Sequence, residues 1–555
     1  MNGNETTGPI SRRGFLKGVG AGVGLGALPA LAGVKSVFGE EPSGRKPNVI
    51  FIITDDQDRS MFNFLPEGRG KNLSPNIDRL ASEGTILLSQ HCSTPVCGPS
   101  RYSCLTGRYA CRTRMPWMVA RAKQQGQMVV TNGTAIMHDE ECLPRLLQQA
   151  GYVTGAVGKN HVVHVPDRER VPEDADPRDP QVDRKLKEEA AEVKAAFRQC
   201  GFDYAASIYN GNPVGNGPRD LAVHNMDWLA KGALDFIDQN KDVPFFLYLA
   251  TTITHGPRAK ARSWAANPLA TADGYLQEPL DVLPSRESLA ARVRQAGLEG
   301  TGRENVLWLD DAVGALLRRI EQHGIADNTI LFYFTDHGVG AKASVYEGGV
   351  QSVAFVWRKG GFPCGGATNA IVSNIDFAPT ILDFAGGAPR PDLFDGKDTR
   401  PLLEGKAQKL HDSLYFEIGY TRGVLKDGWK YLALRYSDYA NNLPLEERQA
   451  RLDRANHYLT SWGRQPHNTD PMAPFSHYSL VPGGGDTEYG TIGRYPAYFD
   501  ADQLYNLGED PAEQHNLAGD SRYAAELAEM KDELARHLAG LPGGFAELKE
   551  LDNSV

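Results

Sequence analysis

At 555 residues the chain is too long for one small module and long enough for a large catalytic domain with a lesser one beside it. Its 41% hydrophobic, 23% charged and 9% aromatic residues exclude a polytopic membrane protein and a disordered chain. With 69 acidic against 59 basic side chains the net charge is −10, so there is no broad positive field to hold nucleic acid, and an anionic ligand must be met by a local cluster of cations.

In chain order, the first segment is Ser11-Arg12-Arg13-Gly14-Phe15-Leu16-Lys17, followed by an uncharged Gly/Ala/Leu/Val stretch over 18–33 that ends in the small residues Ala30-Leu31-Ala32. It reads as a twin-arginine export signal over residues 1–45, cleaved after Ala32, with the periplasm or the exterior as destination. The stretch falls short of the roughly 20 apolar residues that span a bilayer, so no permanent membrane anchor is expected. Continuous apolar runs of strand length follow at 48–54, 153–157, 245–250, 329–335 and 352–357. Runs apolar on both faces belong inside a sheet covered by helices. Between them, Val306, Leu309, Val313, Leu316, Leu317 and Ile320 recur at helical spacing over 303–323. The expectation is an α/β fold: a large, mostly parallel, doubly wound sheet with helices on both faces, over 46–400. From 401 to 555 shorter alternating runs, such as 428–434, predict a smaller subdomain with a short antiparallel sheet and a terminal helix over 523–538. The segments 166–184, 256–302 and 436–498 read as insertions, either binding loops or surface decoration. The many aromatic residues of the last could stack on a sugar or form a satellite core.

Two of the apolar runs end in carboxylates, Thr54-Asp55-Asp56 and Thr335-Asp336-His337. Ligands of doubly wound sheets lie at the carboxyl ends of the strands, so these side chains can converge from opposite ends of the sequence. Three carboxylates gathered there repel one another unless a cation sits between them, and a hard divalent ion, calcium before magnesium, suits such an irregular oxygen shell. The seven cysteines are Cys92, Cys97, Cys104, Cys111, Cys142, Cys200 and Cys364. Their odd number leaves at least one for another purpose, the spacing of the first four argues against a zinc or iron–sulfur site, and disulfides among the rest stay open. In Cys97-Gly98-Pro99-Ser100-Arg101-Tyr102-Ser103-Cys104-Leu105-Thr106-Gly107, Pro99 fits the first turn of a helix. Cys97 then stands at the helix N-terminus, where an anion is favoured, and Arg101 shares its face one turn on. His91, His164, His224 and His323 match no such pattern and read as surface or hydrogen-bonded structural histidines.

This segment resembles the signature Cys-x-Pro-Ser-Arg-x-x-x-Leu-Thr-Gly of the sulfatase family, and every specified position is filled. Gly158-Lys159-Asn160-His161 is similar to the family's Lys-x-His element, Thr254-His255-Gly256-Pro257 to the segment with a second histidine, and Lys342, before Tyr346-Glu347-Gly348-Gly349, to its second lysine. The end of the likeness is the stretch 502–517. The resemblance implies that Cys97 is oxidised to formylglycine by a formylglycine-generating enzyme, and that Asp55, Asp56, Asp336 and His337, with residue 97, hold one calcium ion. It further implies that one hydroxyl of the hydrated aldehyde attacks sulfur while Arg101 and Lys159 neutralise the sulfate. His255, assisted by Lys342, would protonate the leaving alcohol, and His161 would take the proton that releases sulfate. His337 stands where many relatives have asparagine. The expected substrate is a sulfated small molecule or oligosaccharide; the alternatives are a phosphonate or phosphate ester hydrolase of the same superfamily and a non-catalytic, carbohydrate-binding relic.

Overall fold

The computed structural model describes residues 45–166, 170–215 and 217–548. The expected export signal lies, except for its last residue, outside the described residues. The strands are β1 (Asn48–Asp55), β2 (Thr85–His91), β3 (Val153–Asn160), β4 (Tyr204–Asn210), β5 (Phe245–Thr254), β6 (Ala270–Thr271), β7 (Gly274–Tyr275), β8 (Thr329–Thr335), β9 (Ala354–Arg358) and β10 (Ala367–Ser373). Eight of them form one sheet in the order β10-β2-β9-β8-β1-β5-β3-β4, and β6 and β7 make a separate short hairpin. Every pairing in the large sheet is parallel except the two made by β9, which runs against both β2 and β8. The run expected over 352–357 is therefore a strand, but an antiparallel one.

Strand β1 is buried along its whole length because the sheet is covered twice. Val49, Phe51 and Ile53 pack on one side with Tyr102 and Leu105 of the helix Cys97–Thr106 and with Phe377 and Ile381 of the helix Phe377–Phe384. Ile50 and Ile52 pack on the other side with the helices Pro75–Glu83, Met226–Asn240 and Glu304–Gln322. The 303–323 periodicity thus gives the helix Glu304–Gln322, whose buried stripe includes Val306, Leu309, Val313, Leu316, Leu317 and Ile320.

The C-terminal part adds β11 (Ser413–Ile418), β12 (Thr421–Lys426), β13 (Trp429–Leu434) and β14 (Asp502–Asn506), antiparallel in that order. Asp427 and Gly428, at φ of 48° and 83°, close the two-residue turn between β12 and β13, the left-handed pair that hairpin twist demands and that an Asp-Gly step supplies. Alternation decides the two faces: Tyr415, Val424, Tyr431 and Leu504 meet Met530 and Leu534 of the terminal helix Ala524–Ala539. Leu414, Phe416, Leu425 and Leu432 join the core of the large sheet.

The segments read as insertions carry structure of their own. The first runs into the helix Pro180–Gln199, the second holds β6, β7 and the helix Arg286–Gln295, and the third holds the helices Leu445–Ser461 and Gly485–Ile492. All seven cysteines are free thiols. Among the described residues no helix is long and apolar enough to cross a membrane.

Candidate active site

The four central strands β8, β1, β5 and β3 are adjacent in the sheet, and their carboxyl ends carry the sequence's candidate residues to one place. Asp55 ends β1. Asp56 follows in the left-handed region, at φ 54°, a conformation aspartate tolerates better than most residues. The turn this makes lets the Asp56 backbone N–H donate to Asp336 Oδ1, just past β8, at 3.2 Å. Cys97 begins the helix Cys97–Thr106, all of whose residues are buried. Its Sγ lies 3.4 Å from Asp55 Oδ1 and 3.4 Å from His337 Nε2, so the expected meeting of residue 97 with the strand-end acids is present.

Cations surround these acids. Arg101, fully buried one turn along the helix, donates from Nη2 to Asp336 Oδ2 at 3.0 Å and lies 3.5 Å from Asp55 Oδ1. Lys159 Nζ, at the end of β3, is 2.5 Å from Asp55 Oδ2, and Lys342 Nζ is 2.7 Å from Asp56 Oδ1. Lys342 follows Asp336 closely in sequence and still reaches the centre, because its loop folds back and the Ala343 N–H donates to the Pro95 carbonyl beside the helix Cys97–Thr106. His255 Nε2, after β5, is 3.5 Å from Asp56 Oδ2 and 3.4 Å from Asn212 Nδ2. His161 Nδ1 is buried and unpartnered among the described residues.

The electrostatics follow from burial opposed by neighbours. Burial pushes the Asp55 carboxyl up, but Lys159, His255, Arg101 and Lys342 together outweigh it and hold the group well below the carboxylate range. Burial dominates at Asp336 and pushes it up to about 7, helped by Cys97 and Asp55. Burial would also raise the Cys97 thiol, yet Lys159 and Lys342 bring it down to about 6. His161 is pushed well below its ordinary value by burial and then by Lys159, so it is a neutral base.

A metal fits this donor set. Oxygens of Asp55 and Asp336, and of Asp56, each lie with Cys97 Sγ in groups whose ligand atoms fall within 4.8 Å of one another, and His337 Nε2 completes the second group. Three buried carboxylates at one point are a hard, oxygen-rich shell; the imidazole of His337 is the softer member.

Several residues without a pattern in the sequence complete the site. Asn132 Oδ1 accepts the Gly98 N–H at 3.1 Å, and a Cβ on Gly98 would stand 2.4 Å from the Asn132 carbonyl oxygen, so this close approach requires glycine. Ser100 Oγ donates to the Asp336 carbonyl, and Asn374 Nδ2 donates to Ser100 Oγ at 3.0 Å. Ser100 belongs to the signature; Asn132, Asn212 and Asn374 carry no local signal. Beside His161 opens a cleft of about 570 Å³, lined by Asn132, His164, Arg170, Asn210 and Asn212 among others. Of the histidines read as structural, His91 Nε2 lies 3.1 Å from Glu347, His224 Nδ1 is 2.8 Å from Thr252 Oγ1, and His323 Nε2 is 2.6 Å from Asp238, while His164 lines the cleft.

A buried thiol at a helix tip, faced by strand-end carboxylates and ringed by lysine, arginine and histidine, is an arrangement suited to hydrolysis of a tetrahedral oxyanion ester. The sulfatase family model matches residues 47–388, and the chain belongs to the sulfatase family, enzymes that hydrolyse sulfate esters. An N-acetylgalactosamine-6-sulfatase of Mus musculus is 25% identical over 537 residues, covering 92% of this chain and 89% of that protein. A solved structure titled for glycosaminoglycan metabolism by Bacteroides thetaiotaomicron superposes with a TM-score of 0.55 at 19% identity, over 89% of this chain and 99% of its own. A phosphonate monoester hydrolase of Agrobacterium radiobacter shares the fold, with a TM-score of 0.54 at 18% identity over 89% and 96% of the two chains.

Proposed function

We propose that this sulfatase cleaves sulfate esters of carbohydrates in the periplasm or outside the cell, with residue 97 as nucleophile after conversion of its thiol to formylglycine. The observation that carries the reading is the position of Cys97 Sγ, 3.4 Å from Asp55 with Arg101, Lys159 and Lys342 gathered around the same acids. The names of the relative and of the glycosaminoglycan-metabolism structure support a sugar substrate, and the twin-arginine pattern at residues 11–17 supports export. The hydrated aldehyde would supply two geminal hydroxyls, one to attack sulfur and one whose deprotonation expels sulfate. A calcium-type ion held by Asp55, Asp56, Asp336 and His337 would supply charge neutralisation at the sulfate oxygens.

The chain's own groups do the rest. Arg101, with Nε and Nη1 buried and unpartnered among the described residues, has donors to spare for an anion. Lys159 and Lys342 bring fixed positive charge that stabilises the anion as its charge develops. His255 Nε2, half-buried at the mouth, is placed to protonate the departing alcohol, and neutral His161 to accept the proton from the second hydroxyl. The cleft of about 570 Å³ beside His161 has room for the sugar ring, and its asparagine amides can donate to or accept from hydroxyls.

The test is Cys97→Ala assayed with an aryl sulfate and with an aryl phosphonate in parallel. Turnover of the sulfate by the unsubstituted protein is expected to exceed that of the phosphonate, and the variant should lose both. An alanine variant that still turns over sulfate ends the covalent reading, and a preference for phosphonate reverses the substrate class.

A further inference from the structure

The cleft beside His161 has features that the hydrolysis of a sulfate ester does not by itself require. Its walls are three segments tied to one another. The Ile136 N–H donates to the Val162 carbonyl at 2.7 Å and the His164 N–H to the Ile136 carbonyl at 3.0 Å, which joins 132–136 to 160–165. Asn160 pairs with Asn210 at the ends of β3 and β4, and the Gly211 N–H donates to the Asn160 carbonyl at 2.7 Å, which joins 160–165 to 210–215.

The first and third segments carry apolar side chains left in water. Trp117, 46% exposed in the first turn of the helix Pro116–Gln125, lies against Gly133, which lines the cleft: a Cβ on Gly133 would stand 3.0 Å from Trp117 Cζ2. Val214 lines the cleft and is 49% exposed. Such surface gains free energy when the apolar C–H face of a sugar ring covers it. The charge at the cleft is as one-sided. In a chain of net charge −10, no aspartate or glutamate is among the described residues that line it. Arg170 does line it, exposed, and donates from Nη1 to the Gly215 carbonyl at 2.9 Å. Glu189 and Asp273, which share a second, smaller pocket with Arg170, are taken by the Val171 N–H, at 2.9 Å, and by Lys194. The cleft therefore offers a cation against the overall field, where it favours an anion.

We propose that Trp117 and Arg170 make the outer part of this cleft a subsite for a second, negatively charged sugar ring, so that the enzyme prefers acidic oligosaccharides to single sulfated sugars. The ring stacks on Trp117, and Arg170 meets its carboxylate or second sulfate. This rests on the sulfatase reading above and deepens it by naming what specifies the substrate beyond the ester.

The experiment is calorimetric titration of the full Cys97→Ala chain, in which ester cleavage is expected to be lost, with calcium present. The probes are sulfated N-acetylhexosamines, the monosulfated disaccharides of chondroitin and heparan sulfate, the same disaccharides with the uronic carboxyl reduced to an alcohol, and disulfated forms of the reduced disaccharides. At least one acidic disaccharide is expected to bind threefold or more tightly than its sulfated monosaccharide. Trp117→Ala in this background should weaken the disaccharides by about two- to tenfold, carboxyl or none, and leave the monosaccharide affinity as it was. Arg170→Gln should weaken by about three- to tenfold only the probes with a second charge; loss confined to the carboxylate form assigns a uronic acid, and loss confined to the disulfated form a second sulfate. No disaccharide preferred over its monosaccharide, an undiminished preference in folded Trp117→Ala, or an Arg170→Gln effect that is absent or equal for charged and uncharged second rings overturns the proposal. Folding is read from the thermal midpoint, and should Trp117→Ala fail to fold, Arg170→Gln decides alone. Aryl sulfate turnover by the unsubstituted protein is scored separately: turnover without a disaccharide preference removes this inference and leaves the sulfatase reading standing.

Discussion

Asp336 shows how tightly each side chain in this site is constrained by others. Its carboxylate takes Arg101 on one oxygen and the Asp56 backbone on the other, while its own carbonyl accepts from Ser100. Burial lifts its pKa to about 7, so the acid is fully charged only when enough positive charge faces it. Removal of divalent ions with a chelator is therefore expected to lower both sulfate ester turnover and the thermal midpoint, and added calcium should restore both, because an ion bound only by the folded state stabilises it. A chelated enzyme unchanged in both respects would remove the cation from the site. At this scale the sequence was informative wherever a residue stood in a pattern: Asp55, Asp56 and Asp336 at strand ends, Cys97 and Arg101 one turn apart. It was silent on Asn132 and Asn374, which bond partners 34 and 274 residues away and leave no local trace.

The elements divide in the same way. Strands buried on both faces and the helix Glu304–Gln322 announce themselves by continuous or periodic apolar residues. The helix Leu445–Ser461 does not, because Leu452 is its one buried residue and the pattern has almost no apolar stripe to show. The direction of β9 is equally hidden, since parallel and antiparallel strands share the same two-residue period. Some elements are tied together by a single side chain. Asp310, on the helix Glu304–Gln322, accepts the backbone N–H groups of Asn76 at 2.9 Å and Ile77 at 2.8 Å, in the first turn of the helix Pro75–Glu83. A carboxylate from one helix thus caps another, where free N–H groups and the dipole both favour it. Asp310→Ala leaves those donors unsatisfied in a buried place and should lower stability by about 1–3 kcal/mol in denaturant unfolding, with aryl sulfate turnover of the folded fraction unchanged.

Across the whole molecule, the two sheets are joined by buried charge as well as by apolar packing. Lys430 of β13, with no exposed side-chain surface, lies 2.8 Å from Glu347 and 3.5 Å from Glu513, and Glu347 also meets His91 at the end of β2. Burial pushes the Glu347 carboxyl up, but Lys430 and His91 overcome it and hold the group well below the carboxylate range. A depressed carboxyl stabilises the fold above its unfolded-chain pKa of about 4.3, and that contribution is lost as pH falls through the lower folded-state value. Glu347→Gln should therefore cost about 3–5 kcal/mol at neutral pH, as for a broken buried pair. The gap between the two proteins should close as the pH drops below about 4, read by thermal or denaturant unfolding across that range. A gap independent of pH would show that packing, not charge, joins the sheets here. The stacked Tyr346 and Tyr495, with centroids 3.7 Å apart, bind the third insertion to the same region.

If residue 97 is converted to formylglycine as proposed, its burial also orders events during biosynthesis. The side chain is 2% exposed, at the start of a helix whose every residue is buried, so the finished fold does not present this segment to a second protein as an extended peptide. The converting enzyme that the proposed function calls for would thus meet the segment while it is still extended, before the helix docks on the sheet, and maturation would compete in time with folding. Supplied to natively folded, unconverted protein, that enzyme should yield no aldehyde by peptide mass, whereas its presence during synthesis should yield one. A mutation that merely quickens collapse around residues 97–106 would then reduce activity without touching a single group that handles the ester.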